Sequence, residues 1–355
     1  MPAVPASKDP LPADVRQAKS KLTLNHVAQA LGVSRTTVSN AYNRPGKLSE
    51  ELRATVLAKA RELGYFGPDP MARALRRREM QTVGVVFHHD IGYALGDPTT
   101  MAFLAGVAKE LDKRKLWLQF IPKMGRKLLL QAALQSTADA MIIHSEIGPE
   151  FMHEVTATPK PVVLVDSAVA GVPSVRTDDR RGAMLAMQHA LASRPEVVVM
   201  LCFMVTEAER HRILSKANPP RSGYVASERV AGYALAARAA GFPDERLIWI
   251  DIDDQEPESA VRHLTELRPR LAGSKRVAIV AMSDRMALAA RAAMADWTEL
   301  TVSSLVGFDD IPAAAQAGLT TVRQDSGLKG EMAVRILLDG LKGATLPVSL
   351  VVRDT

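Results

Sequence analysis

The sequence predicts an all-α, three-helix helix-turn-helix head followed by an α/β body of two lobes, each a doubly wound parallel sheet. Three observations predict this class. Short amphipathic segments separated by glycine turns fill residues 21–67, and apolar Val/Ile/Leu runs alternate with helical segments after residue 80. The charge is also uneven: residues 1–79 hold 14 Lys and Arg against 7 Asp and Glu (net +7), and the remainder holds 31 against 32 (net −1). A basic head on a nearly neutral body is typical of a polyanion-binding protein.

Composition places the chain among cytoplasmic globular proteins. Of its 355 residues one is cysteine, Cys202, so an internal disulfide framework is excluded and a reducing compartment is expected. Residues 1–20 contain four prolines and no long apolar run, which predicts a disordered tail rather than a signal peptide. No segment approaches the roughly 18 apolar residues of a membrane span, so no membrane partner is expected.

The head, residues 21–67, is predicted from helix start and stop signals. Thr23 is a plausible cap for a first helix that Gly32 ends, because glycine tolerates the positive φ of a tight turn. Ser34 then caps a second helix and Ser49 a third, which together make a helix-turn-helix unit. The positions expected to be buried in the second and third helices are Val38, Ala41 or Tyr42, Leu52, Val56, Leu57, Ala60 and Leu63.

The second helix has the chemistry for reading base edges. If Val38 packs inward, Arg35, Thr36, Ser39 and Asn40 are exposed. Arg binds guanine and Asn binds adenine through paired hydrogen bonds, Thr offers a hydroxyl and a methyl, and the N-terminal end of such a helix enters the major groove. The alternative interpretation is a solvated helix face.

Residues 68–79 are predicted to be a hinge. Asp69 can cap a helix with Pro70 at its first position, where a missing N–H costs nothing. A helix over about 70–77 is too short to be stable alone and needs a partner. The alternative is a plain basic linker.

In the body, apolar runs predict buried strands with helices between them. The predicted strands are 82–87, 116–121, 140–144, 162–165, 197–203, 222–225, 247–250, 277–282, 304–308 and 348–352. The predicted helices include 100–114, 180–192, 227–240 and 284–295.

The length of the body favours two lobes. We assign residues 80–178 and 325–342 to the first lobe, and 179–324 and 343–355 to the second. A ligand would bind between them, beyond the carboxyl ends of the strands.

The head resembles the DNA-binding head of the lactose repressor (LacI/GalR) family. The motifs that carry the resemblance are Val27-Ala28, Gly32-Val33-Ser34, Thr37-Val38-Ser39, Asn43, Leu48-Ser49, Arg53 and Leu63-Gly64-Tyr65. The resemblance implies a repressor that binds double-stranded operator DNA as a homodimer. It implies base contacts from Arg35, Thr36 and Asn40, and further DNA-binding positions at Thr23, Ser34, Thr37, Ser39 and Asn43.

The hinge resembles the same family at Ala72-Arg73-Ala74-Leu75. The resemblance implies that this segment becomes helical on DNA and that Leu75 is a minor-groove wedge. Arg73 and Arg76 would then neutralise phosphates. One departure is an extra residue before the hinge, in the segment 64–69, which leaves the hinge register open.

The body resembles the sensor core of that family, itself similar to periplasmic sugar-binding proteins. The resemblance implies an effector-binding site at Arg229 in the segment 229–233, Ser283 in 282–288, Asp309 in 306–311 and Asp166, with a crossover between the lobes at 320–325. His88 is a further candidate at the lip of the site. Paired hydrogen bonds from a carboxylate and a guanidinium suit a sugar-like or purine-like effector.

Each of these residues also has a structural interpretation. Arg229 could form a surface ion pair, Asp309 could cap a helix, and Ser283 with Asp284 could cap the helix that follows. His88 could sit in solvent; because no third ligand follows at a fitting spacing, no metal site is expected, and no cofactor is expected either. The segments 192–196 and 205–220 depart from the family pattern.

Two other classes of protein remain in competition. A free sugar-binding protein of the periplasmic type would lack a function for the head. A metabolic enzyme would need a nucleotide or nucleophile motif, and the sequence contains no Gly-x-Gly-x-x-Gly, Gly-x-x-x-x-Gly-Lys or Gly-x-Ser-x-Gly. A ligand-responsive repressor that is not an enzyme is therefore the preferred hypothesis. The sequence leaves open whether the effector releases or promotes DNA binding.

Overall fold

The computed structural model describes residues 23–43, 45–63, 65, 80–87, 90–121, 136–144, 155–156, 158, 160–203, 205–252 and 256–355. The predicted tail (1–20) and the predicted hinge (68–79) lie outside these residues. The chain divides into two compact units, Met1–Glu79 and Met80–Thr355.

The first unit contains the three predicted helices, α1 (Leu24–Leu31), α2 (Arg35–Asn43) and α3 (Glu50–Glu62). Its core is built from one buried stripe on each helix: Val27, Ala28, Val38, Ala41, Val56 and Ala60. Leu52, which we expected in this core, is 37% exposed. That expectation was wrong because Leu52 lies in the first turn of α3, one turn before the buried stripe.

The second unit contains two six-stranded sheets. The first sheet has the order β11-β5-β4-β3-β1-β2, and its neighbouring strands are all parallel. Its strands are β1 (Thr82–Phe87), β2 (Trp117–Ile121), β3 (Ala140–His144), β4 (Val162–Val165), β5 (Ser174–Thr177) and β11 (Ala344–Leu346). The helices of this lobe whose bounds the structure describes are α4 (Ile91–Gly96), α5 (Pro98–Arg114) and α12 (Ser326–Asp339).

The second sheet has the order β12-β10-β9-β8-β6-β7, and β12 is its one antiparallel strand among the described residues. Its strands are β6 (Val197–Phe203), β7 (Leu247–Ile252), β8 (Arg276–Ala281), β9 (Thr301–Asp309), β10 (Thr320–Arg323) and β12 (Ser349–Val351). The helices of this lobe are α6 (Asp179–Ala192), α7 (Glu207–Leu214), α8 (Val225–Ala239), α9 (Pro257–Leu271), α10 (Asp284–Ala293) and α11 (Pro312–Gln316). The predicted fold class is confirmed.

Two details of the body differ from expectation. Residues 344–346 were expected in the second lobe with the rest of 343–355, but β11 pairs with β5 through Ala344 opposite Val175 and so extends the first sheet. The segment 222–225 was expected to be a strand, but Gly223 has φ +80 and α8 begins at Val225. The Glu228 side chain accepts a hydrogen bond from the Ser222 N–H at 2.6 Å, which holds this segment as a turn.

The chain passes from one sheet to the other after β5, after β10 and between β11 and β12. Helix α6 begins directly after the first of these passages, and α8 packs against it. A Cβ on Gly232 of α8 would collide with the Arg180 carbonyl of α6, so glycine permits the two helix backbones to touch. Within the described residues, no helix is both long and apolar enough to span a membrane.

Candidate functional site

The first candidate surface is the outer face of α2. Ser34 fixes its start, because the Ser34 Oγ accepts the Thr37 N–H at 3.0 Å and lies 2.8 Å from the Thr37 hydroxyl. Val38 is fully buried, so the helix can present only its opposite side. Arg35 and Thr36 are exposed and Asn40 is half-buried on that side.

The rest of the head holds α2 rigidly. The Arg53 Nε on α3 donates to the Ala41 carbonyl at 3.2 Å, and the Tyr42 hydroxyl donates to the Tyr65 carbonyl at 3.3 Å. At the start of α1, the Thr23 N–H donates to His26 Nδ1 at 3.0 Å. Ser39 is half-buried, and the side chain of Asn43 lies outside the described residues. The bonds to α3 and to Tyr65 thus fix α2 against the rest of the head.

The second candidate site lies in the body, where the carboxyl ends of several strands meet. Asp166 follows β4 in the left-handed region, with φ +55. Its carboxylate accepts two hydrogen bonds from Lys329 Nζ, at 2.8 and 2.9 Å, and His144 Nε2 at the end of β3 lies 3.3 Å away. Burial raises the pKa of Asp166, but Lys329 and His144 outweigh it, and the pKa lies well below its usual range.

Gln324 connects this group to the second sheet. Its Oε1 accepts hydrogen bonds from Lys329 Nζ and from Thr177 Oγ1, each at 3.0 Å. Its Nε2 donates to Asp309 Oδ1 at 2.6 Å. A continuous chain of hydrogen bonds therefore runs from Asp166, at a strand end of the first sheet, to Asp309, at a strand end of the second.

Arg229 is buried beside Asp309, with 3% of its surface exposed. Its guanidinium pairs with Asp179 at 2.8 Å, donates to the Met282 carbonyl, and stacks 3.5 Å from the centroid of the Phe308 ring. The surface ion pair considered from the sequence is thus a buried one. These three contacts fix the orientation of the Arg229 guanidinium.

Asp309 has an unusual backbone, with φ +123. Burial raises its pKa to about 8; Arg229 opposes this rise and Asp284 adds to it. The direction of this shift favours the protonated carboxyl, which can both donate and accept a hydrogen bond. The helix-capping interpretation fails for it, because the cap of α11 is Ile311 and that cap has no side-chain hydrogen bond.

Ser283 and Asp284 have structural roles that the sequence also suggested. The Ser283 Oγ accepts the Met286 N–H at 3.3 Å and so caps α10. The buried Asp284 accepts the Thr321 hydroxyl at 2.5 Å and the Ile311 N–H at 2.9 Å, which ties α10 to β10 and to the end of β9. Burial raises the pKa of Asp284 to about 6.

A cavity of about 200 Å³ adjoins these groups. It is lined from the first lobe by Asp166, Arg176, Thr177, Asp178 and Thr345, and from the second by Asp179, Arg221, Gly223, Tyr224, Val225 and Glu228. A second link between the lobes is Arg285, which donates to the Tyr93 hydroxyl at 3.0 Å and lies 3.4 Å from Glu256. In the part of the chain that the structure describes, no cluster of His, Cys, Asp and Glu could hold a metal ion.

The structure thus links Asp166 and Asp309, at strand ends of the two sheets, through Lys329 and Gln324. Arg229 of α8 lies beside Asp309, and Ser283 lies at the start of α10. Sequence reasoning missed Gln324, Lys329 and Asp179. Gln324 lies in the crossover segment 320–325, and the available signal for Lys329 was a lysine among the apolar residues of a helix. The predicted residues His88, Arg73, Leu75 and Arg76 lie outside the described residues.

Together, a three-helix head with an exposed polar helix and a two-lobed core with linked strand ends define a class of protein: ligand-responsive, DNA-binding transcription regulators. Residues 23–67 match the family described as bacterial regulatory proteins, lacI family, and residues 206–355 match a periplasmic binding protein-like domain. A relative from Mycobacterium tuberculosis, HTH-type transcriptional regulator Rv3575c, is 35% identical over 337 residues, which cover 90% of this chain and 91% of the relative. The chain belongs to the LacI family of bacterial transcription regulators.

Solved structures agree on the fold. The lac repressor dimer bound to operator and the anti-inducer ONPF has a TM-score of 0.71 at 23% identity, covering 94% of this chain and 98% of that one. The complex of transcriptional regulator CelR with cellobiose has a TM-score of 0.62 at 23% identity, covering 94% and 99%.

Proposed function

We propose that this protein is a repressor that binds operator DNA as a homodimer. Its affinity for that DNA changes when a sugar-like or purine-like metabolite binds between the two lobes. The observation that carries the DNA-binding half is the exposed face of α2 on a head with a net charge of +7 over residues 1–79. A regulator with this role works in the cytoplasm and is not an enzyme.

For the head, Arg35, Thr36 and Asn40 are the base-reading residues. Thr23, Ser34, Thr37, Ser39 and Asn43 are further DNA-binding positions in the head. In the hinge, Leu75 is the minor-groove wedge and Arg73 and Arg76 contact phosphates. Two heads held at fixed spacing by a dimer would read two half-sites.

The test begins with selection of a preferred duplex from random DNA, followed by anisotropy titrations with that duplex and a scrambled one. Arg35→Ala is expected to weaken binding to the selected duplex by about 1–3 kcal/mol and to lower discrimination. Arg61→Ala, at an exposed position on α3, is the matched control and should spare discrimination. Equal affinity of the wild type for both duplexes contradicts the proposal.

For the body, Asp309, Arg229 and Asp166 are the effector-binding residues, with Ser283 and His88 at the edges of the site. The chain of hydrogen bonds from Asp166 to Asp309 supports this assignment, because a ligand that bonds to either end perturbs the other lobe. The similarly folded CelR binds cellobiose in its complex, which favours a sugar.

A thermal-shift screen of sugars and purines identifies the effector. Asp309→Ala is expected to abolish its effect on operator affinity while DNA binding by the ligand-free protein persists. The exposed Asp296→Ala serves as the control variant. A normal response in Asp309→Ala contradicts the assignment, and turnover of the effector would favour the enzyme hypothesis.

A further inference from the structure

Charged residues make up more than half of the lining of the cavity of about 200 Å³ described above. Four carboxylates line it: Asp166, Asp178, Asp179 and Glu228. An acidic lining of this kind would by itself favour a cationic or neutral ligand, so the partners of each carboxylate decide the chemistry.

Each of the four carboxylates already has a cation. Lys329 holds Asp166 at 2.8 Å, and Arg229 holds Asp179 at 2.8 Å. Arg180 donates two hydrogen bonds to the Glu228 carboxylate, at 2.9 and 3.0 Å. Arg221 lies 3.1 Å from Asp178 and 3.2 Å from Glu228. These pairs neutralise the acidic lining.

One cation of the lining is left over. Arg176, on β5, lines the cavity, and among the described residues its buried Nε has no hydrogen-bond partner. A buried donor without a partner costs free energy, so such an atom in a cavity wall marks a place where a ligand can supply the acceptor. Three of the cations, Lys329, Arg229 and Arg180, stand behind the lining; counted with Arg221 and Arg176 they set five positive charges against the four carboxylates, a balance of +1.

The N-terminus of α8 adds donors at the same wall. The helix runs for 15 residues, and its N-cap, Tyr224, provides no side-chain cap hydrogen bond. Tyr224 and Val225 line the cavity, so α8 begins at its wall. Uncapped N–H groups and the positive end of the helix dipole favour an anion. Gly223 brings the loop close to the arginine, since a Cβ placed on it would lie 3.6 Å from Arg176 Nη1.

We propose that this cavity binds the anionic group of a small ligand, a phosphate ester or a carboxylate, with Arg176 as its charged partner and the first turn of α8 as its second donor. This inference rests on the proposed function, because the ligand is the effector held between the lobes. It narrows the effector from any sugar-like or purine-like metabolite to one that carries a negative charge. The cavity is smaller than the roughly 300–1,000 Å³ of drug-sized sites, which suits a ligand the size of one sugar or organic acid.

The first experiment uses inorganic phosphate as the probe and the full chain as the sample. Thermal unfolding and calorimetric titration compare phosphate with chloride at equal ionic strength, for wild type, Arg176→Gln and the exposed Arg181→Gln. Phosphate should stabilise wild type and Arg181→Gln, and Arg176→Gln should weaken its Kd on the order of tenfold or more. Phosphate bound by the basic head contributes equally to all three proteins and cancels. The same phosphate effect in Arg176→Gln, or none in wild type, overturns the proposal.

The second experiment distinguishes a phosphate ester from a carboxylate as the bound group. It also tests the anion site separately from the proposed effector response. Glucose 6-phosphate and glucuronate are each compared with glucose, as matched probes of the ester and the carboxylate. An Arg176-dependent advantage of either anion over glucose supports the proposal and identifies its class. If glucose stabilises wild type and Arg176→Gln alike while neither anion does better, the anion site is refuted and the proposed effector site stands. If phosphate binding depends on Arg176 but no metabolite alters operator affinity, the site stands and the proposed regulation fails.

Discussion

Lys329 offers the most direct test of the hydrogen-bond chain between the lobes. Its side chain is 5% exposed, and its ammonium group donates to both oxygens of Asp166 and to Gln324. Lys329→Met keeps most of the aliphatic length and removes the charge. The substitution leaves the carboxylate of Asp166, 16% exposed, with His144 as its remaining partner in the described chain.

Removing one member of a buried ion pair costs about 3–5 kcal/mol, because the other charge stays buried without compensation. His144 and the residual exposure of Asp166 place the expected loss at the lower end, about 3 kcal/mol. For a body of this size each kcal/mol lowers the Tm by roughly 2–4 °C, so the expected drop is roughly 6–12 °C.

The assay is a double-mutant cycle of Lys329→Met and Asp166→Asn, read by urea and thermal unfolding. Asn tolerates the left-handed backbone at φ +55, so it removes the charge with little strain. The double variant should lose less free energy of unfolding than the sum of the two single losses, by roughly 1–3 kcal/mol. Lys109→Met is the matched control: Lys109 also pairs with a carboxylate, Glu331, but is 60% exposed, so its loss should cost at most about 1 kcal/mol.

The pH dependence gives a second readout of the same pair. Because the pKa of Asp166 in the folded protein is lowered, its contribution to stability is present above the unfolded pKa of about 3.9 and is lost as the pH falls below it. Lys329→Met should remove most of that acid-dependent loss. A Lys329→Met variant no less stable than Lys109→Met, or strictly additive effects in the cycle, would refute the idea that this pair is coupled.

Three further predictions follow from the body. Asp309, whose pKa is raised to about 8, ionises in the unfolded chain near pH 4 but stays protonated in the fold, so wild-type stability falls between these values; Asp309→Asn should gain Tm relative to wild type from about pH 5 to 8, and parallel pH profiles would contradict this. Trp117 is 73% exposed on the edge strand β2, so Trp117→Glu should shift the dimer toward monomer in sedimentation and weaken operator binding. The control Leu341→Glu, at a residue that is 45% exposed, should do neither. An unchanged mass of Trp117→Glu excludes this edge from the dimer contact. Gly232→Val forces a side chain against the Arg180 carbonyl and should lower the Tm by at least several degrees in calorimetry; an unchanged Tm would show that α6 and α8 can separate freely.

Much of the architecture was predictable because parallel strands buried on both faces leave a strong mark in the sequence. Runs such as 82–87 and 277–282 predicted their strands within one residue. The turn at 222–225 misled the prediction because a short segment with valine and tyrosine looks like a strand. Its conformation is set instead by a glutamate six residues further on.

The partners in the site were beyond a local reading of the sequence. Lys329 lies 163 residues from Asp166, and Arg229 lies 50 residues from Asp179. Each pair exists because strand ends and helix starts of separate elements converge after folding. The resemblance supplied the strand-end residues Asp166 and Asp309 and the helix residue Arg229, but a buried lysine was visible only once α12 was in place.

The amide of Gln324 has a fixed orientation, since two donors, Lys329 and Thr177, face its oxygen and leave its nitrogen for Asp309. The hydrogen bonds of this bridge therefore run in one direction, with donors facing the amide oxygen and an acceptor facing the amide nitrogen. A metabolite that takes the Asp309 oxygen for itself displaces the amide nitrogen, and a rotating amide must withdraw its oxygen from the lysine as well. Under the proposed function, a ligand in one half of the receptor would in this way change the hydrogen bonding in the other half.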